Sequence, residues 1–78
     1  KALHGHLLGA AGALQAVITV LALHPQQLPP NAHAAQADAD CALNLVRAGD
    51  TQADGLRAAV SNSFAFGGTN AALVFGRA

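Results

Sequence analysis

The sequence predicts an α/β fold: one buried helix, a short strand and a C-terminal antiparallel strand pair. Three observations predict it. Residues 7–23, LLGAAGALQAVITVLAL, are apolar on nearly every side and end at His24-Pro25, where proline disfavours helical geometry in the residue before it. Residues 56–63 and 70–76 form two strand-like runs. Between these runs, FAFGGT carries the adjacent glycines Gly67 and Gly68, which suit a hairpin connection.

The helical run is interrupted only by Gln15 and Thr19. A helix that is apolar all round lies inside a large protein or in a membrane. At seventeen residues it falls short of the roughly 20 that span a bilayer, and no lysine, arginine or tryptophan anchors either end. Burial in protein is therefore the reading. Gly5, Gly9, Gly12, Ala13 and Ala16 let other backbones approach closely, and Leu14, Val17, Ile18 and Leu21 are the large side chains expected inside a larger body.

Residues 25–31, PQQLPPN, read as an extended turn of polyproline character. Residues 32–42 lack apolar periodicity and read as a surface loop, Leu43–Val46 as the short strand, and 47–55 as an exposed turn. Leu56–Ser63 and Asn70–Gly76 are the paired strands. Ala71–Phe75 is apolar without a break, the pattern of a strand buried on both faces.

Composition limits what this chain does. Its 78 residues make at most one domain, and alanine supplies much of an apolar content that includes only three phenylalanines. Alanine buries little area, so the core is thin, as in a piece of a larger body. Beginning at Lys1, the chain reads as a segment of something longer. Four basic and four acidic residues cancel and are scattered, which argues against binding nucleic acid through its phosphates. The single cysteine, Cys41, excludes an internal disulfide framework.

Two segments carry candidate chemistry. Lys1 and His6 lie five residues apart, about 140° around a helix. They converge only if residues 1–5 form a loop leading into the helix. His6 then stands near a helix N-terminus, where a neutral ring able to donate one hydrogen bond is favoured. Spacing alone leaves it open between that role and helix capping. His4, His6, His24, His33 and Cys41 show no recurrent metal-ligand spacing. Cys41 stands beside Asp38 and Asp40, a setting that opposes thiolate formation.

The second segment is NSFAFGGTN, Asn62–Asn70. Gly67 and Gly68 permit positive φ and close approach of backbone to a ligand, and freed N–H groups can meet an oxyanion. Phe64 and Phe66 flank the small Ala65, so their rings can act as a lid. Asn62, Ser63, Thr69 and Asn70 can pin the loop ends through side-chain-to-backbone bonds. A packed glycine hairpin without function accounts for the same residues.

Taken in order, the motifs resemble the C-terminal end of the β-ketoacyl-acyl-carrier-protein synthases, condensing enzymes of the thiolase-like superfamily. The resemblance rests on Lys1, Gly5-His6, LGAAGA at 8–13, Pro29-Pro30, SNSFAFGGTN at 61–70 and the closing AALVF. It covers essentially the whole chain. It implies a C-terminal portion of a thiolase-like αβαβα fold, so that residues 1–78 are part of a synthase domain rather than a complete one. The parent reaction implied is decarboxylative Claisen condensation of malonyl-carrier protein with an acyl group held on cysteine.

By the same resemblance, His6 is one of two histidines that bond the malonyl thioester carbonyl and stabilise the enolate, and Lys1 supports the charge network. Phe66 is the gating phenylalanine, whose backbone N–H is half of the oxyanion hole; Gly67 and Gly68 give the loop mobility, with Phe64 beside them. Two positions depart from the family pattern: Ala65 replaces the usual glycine, and His4 a common threonine. The nucleophilic cysteine and the other catalytic histidine belong to segments outside residues 1–78, and Cys41 does not match the nucleophile.

No cofactor or metal is implied. The implied partners are acyl and malonyl forms of acyl carrier protein and the rest of the synthase, in a cytoplasmic homodimer of fatty-acid or polyketide-type synthesis. A non-catalytic, chain-length-determining partner subunit of the same fold is the alternative. Retention of Lys1 and His6 argues against that alternative. A small membrane-associated helical peptide is a third reading.

Overall fold

A computed structural model describes all 78 residues, Lys1–Ala78. Helix α1 spans Ala11–Leu23 and follows a single 3₁₀ turn over Leu8–Ala10. Strands β1 (Ala58–Phe64) and β2 (Asn70–Gly76) pair antiparallel in register from Ala58↔Gly76 to Phe64↔Asn70. Helix α1 packs on this two-stranded sheet.

The helix begins later than its apolar run because Leu8 takes φ +52°, outside α-helical geometry. Its last residue is Leu23, as the sequence predicts, but the means of closure differs. His24 stays helical although it precedes Pro25, and its N–H still bonds the Val20 carbonyl. Closure falls on Gln26, at φ +59°, and the Gln27 N–H returns to the Ala22 carbonyl at 3.1 Å, a Schellman-type ending. The Gln26 side chain then clasps Leu56: its Nε2 donates to the Leu56 carbonyl and its Oε1 accepts from the Leu56 N–H, at 3.1 and 2.7 Å. That clasp sets where the chain enters β1.

The short strand expected at Leu43–Val46 does not form. The segment pairs with neither strand of the sheet. Its N–H groups turn to local partners, Leu43 to the Cys41 carbonyl and Leu45 to the Leu43 carbonyl. Its Val46 carbonyl accepts from the backbone and side chain of Asn31. The Pro-rich segment, which includes Asn31, also forms an isolated bridge between Gln27 and Gln52.

Burial within this chain is uneven. Leu14, Gln15, Ile18 and Thr19 are half-buried against the sheet and Ala22 and Leu23 are buried, whereas Val17 and Leu21 are 55% and 62% exposed. Within this chain the helix is covered along one side only. Along β1, Ala59 and Ser61 are half-buried between exposed neighbours, the alternation of a strand with one face covered. The apolar run of β2, read as buried on both faces, is exposed except at half-buried Phe75. Two seven-residue strands and one helix bury one face of each element and leave the other open.

Candidate active site

The site is assembled from the turn before α1 and the hairpin after it. Residues 1–5 form a turn closed by the Gly5 N–H on the Lys1 carbonyl at 2.8 Å, with Gly5 at φ +78°. A side chain is strained there. This turn lets Lys1 and His6 line one cleft, which a continuous helix forbids.

His6 is oriented by the backbone that follows it. The Leu8 N–H donates to His6 Nδ1 at 2.8 Å. An Nδ1 that accepts carries no proton, so the neutral ring holds its hydrogen on Nε2 and presents a donor there. Leu8 adopts left-handed geometry in the same turn, at a cost on the order of 1–2 kcal/mol for a residue with a side chain. His4 shows the opposite arrangement. Its Nδ1–H donates to the Gly5 carbonyl at 2.8 Å, leaving Nε2 as the acceptor.

The cleft has a volume of about 390 Å³ and is lined by Lys1, His6 and Gln15 on one side and by Asn62, Ser63, Phe64, Ala65 and Thr69 on the other. A neighbouring cleft of about 600 Å³, which contains His4, shares Lys1, Gln15 and Asn62 with it. None of the four aspartates lines either cleft. The local charge therefore comes from Lys1, and the remaining polar groups are an imidazole, amides and hydroxyls.

The hairpin loop runs over residues 65–69. Phe64, grouped with the loop on sequence, is the last residue of β1. The Ala65 N–H bonds the Thr69 carbonyl at 2.8 Å, and Gly67 and Gly68 hold φ +83° and +80°. The expected side-chain-to-backbone pins at Asn62, Ser63, Thr69 and Asn70 are replaced by this backbone bond and by Ser63, which donates from Oγ to Gln15 Oε1 at 3.2 Å. Phe66, Gly67 and Gly68 form the tip and do not line the cleft, and the Phe66 ring is fully exposed. Cys41 is exposed and lines neither cleft.

Sequence reasoning passed over Gln15 as an interruption of an apolar helix. The signal was that interruption: a lone amide on the sheet-facing side of α1. No group of three or more His, Cys, Asp or Glu side chains is placed to hold a metal ion.

The family description "Beta-ketoacyl synthase, C-terminal domain" matches residues 1–35, which hold the His6 turn and all of α1. The 3-oxoacyl-[acyl-carrier-protein] synthase 2 of Mycobacterium tuberculosis is 43% identical over 77 residues, covering 99% of this chain and 18% of that protein. The chain matches a C-terminal segment of the β-ketoacyl synthases. The synthase 2 of Mycobacterium leprae is 45% identical over 76 residues, covering 97% of this chain and 18% of the relative. That of Vibrio cholerae is 40% identical over 77 residues, covering 99% and 19%. The chain thus spans under a fifth of the length of these relatives. No solved structure matches it. One helix and an antiparallel strand pair fit an α/β C-terminal portion of the thiolase-like fold. No helix is long and apolar enough to cross a membrane.

Proposed function

We propose that this chain works as part of a β-ketoacyl-acyl-carrier-protein synthase and supplies one half of its active site. The rest of the synthase domain supplies the nucleophilic cysteine and a second histidine. Malonyl-carrier protein and an acyl-carrier protein are the substrates, in a cytoplasmic, homodimeric parent. The observation that carries the reading is His6, whose Nδ1 is occupied by the Leu8 N–H and whose Nε2–H is left to donate beside Lys1 and the hairpin base.

The chemistry follows from that donor. An acyl group is first transferred from its carrier to the cysteine, forming an enzyme thioester and releasing the carrier thiol. Malonyl thioester then places its carbonyl oxygen on His6 Nε2–H. The bond between the malonyl α-carbon and its carboxylate breaks, CO₂ leaves, and the electron pair forms an enolate whose oxygen takes the imidazole hydrogen bond. The α-carbon attacks the acyl carbonyl, and collapse of the tetrahedral oxyanion expels the cysteine thiolate and releases β-ketoacyl-carrier protein. The Phe66 backbone N–H is half of the donor pair for that oxyanion, and its ring gates the acyl group. Lys1 is the one cation lining the cleft and favours the anionic stages.

The test uses the full synthase that contains this chain. Incubated with acyl- and malonyl-carrier protein, it should release β-ketoacyl product and one CO₂ per turn. Decarboxylation with no condensed product, in an enzyme that has its cysteine, would refute the assignment. A protein with no residue able to act as nucleophile would instead support the non-catalytic partner subunit.

A further inference from the structure

We propose that Gln15 is a positioning residue that fixes the oxyanion loop relative to the helix carrying the His6 turn; this rests on the condensing-enzyme reading above. Ser63 Oγ donates to Gln15 Oε1 at 3.2 Å across 48 positions of sequence. The other hydrogen bond between two side chains, Gln52 to Asp54, spans only two. The tie from Ser63 to Gln15 is thus the one such bond joining distant parts of the chain.

Its placement decides what it does. Ser63 directly precedes Phe64 and the 65–69 loop. Beyond it the loop is held by its own closure, Ala65 N–H to Thr69 carbonyl. A Cβ built at Gly67 or Gly68 meets no atom within 4 Å, so the tip packs on nothing. Orientation of the tip is therefore set at its base. Gln15 is half-buried on the sheet-facing side of α1, and the Thr19 hydroxyl bonds the Gln15 carbonyl at 2.8 Å. Gln15 also lines both clefts, so the tie sits in the wall between His6 and His4.

A loop anchor and a structural prop differ in which half-reaction they affect. Acyl transfer to the cysteine draws on the loop N–H, whereas malonyl decarboxylation draws on His6. In the full synthase, single-turnover rates of both steps are compared for wild type, Gln15→Leu, Ser63→Ala, the double variant and Gln15→Glu. Each single variant should slow acyl transfer about fivefold, the rate equivalent of one net hydrogen bond, and should slow decarboxylation by clearly less. The double variant should be no slower than the slower single one. Gln15→Glu keeps an acceptor for Ser63 and should restore most of the rate. Ser63→Ala, at an exposed position, carries the comparison if Gln15→Leu fails to fold. Losses that multiply to about 25-fold in the double variant, equal slowing of both half-reactions, or no rescue by Gln15→Glu would each overturn the proposal. A wild-type protein lacking both half-reactions would overturn the condensing reading, and this proposal with it.

Discussion

Released as a free 78-residue polypeptide, this chain should not behave as a compact monomer. The structure exposes 6177 Å² for 7.8 kDa, against about 4,400 Å² for a folded monomer of that mass. The excess is about 1,800 Å², more than the surface buried in a standard protein–protein interface. The radius of gyration, 13.5 Å, likewise exceeds the roughly 11.5 Å of a compact domain of this length. Much of the excess is apolar: Val17, Val20 and Leu21 on the outer side of α1, and Val60, Leu73 and Val74 on the strands, are each about half or more exposed. Exposed apolar surface of this extent marks a surface that other protein covers. Sedimentation velocity with dye binding and a heteronuclear NMR spectrum is the assay. Association or strong dye binding with poor spectral dispersion is expected. A monodisperse monomer with a dispersed spectrum and one cooperative unfolding transition would refute the reasoning.

Four further outcomes follow from the same geometry. Gly67→Val in the full synthase should cut turnover sharply: at φ +83°, with no neighbour within 4 Å of its Cβ, the objection is conformational and greatest for a β-branched residue. Full turnover would contradict the loop assignment. Phe66→Ala should leave the fold intact and broaden the range of acyl groups accepted, because the exposed ring is lost while its N–H remains; an unchanged substrate panel would contradict the gating role. Leu14→Ala, on the sheet-facing side of α1, should cost about 2–5 kcal/mol in the intact parent, measured by denaturant unfolding. The 78-residue chain alone should give no β-ketoacyl product, since covalent catalysis needs a nucleophile and Cys41 lies outside both clefts; product that persists in a Cys41→Ser control would overturn this.

The elements that could be read in advance were those with a strong local signal. The apolar run gave α1, and the Gly-Gly pair between two strand-like runs gave the hairpin, with β2 placed at Asn70–Gly76 as expected. Leu43–Val46 misled because β-propensity yields to context, and here the Leu43 and Leu45 N–H groups bond the nearby Cys41 and Leu43 carbonyls. The start of α1 at Ala11 and the turn that closes it after Leu23 depend on non-glycine residues in left-handed geometry, Leu8 and Gln26, which composition does not announce. The convergence of Lys1 and His6 depended on a turn whose hydrogen bond is invisible in sequence. The tie from Ser63 to Gln15 needed the packing of α1 on β1 before Gln15 could be read as part of the site.

The most direct measurement is on His6→Ala in the full synthase, with the two half-reactions followed separately. Wild-type His6 has its Nδ1 filled by the Leu8 N–H, which leaves the Nε2–H of the neutral ring available to donate. The substitution should therefore lower malonyl decarboxylation by about 10²–10³, the usual loss for one oxyanion donor, while acyl transfer to the cysteine stays near wild type. Equal loss of both half-reactions would contradict the account and make His6 a structural residue.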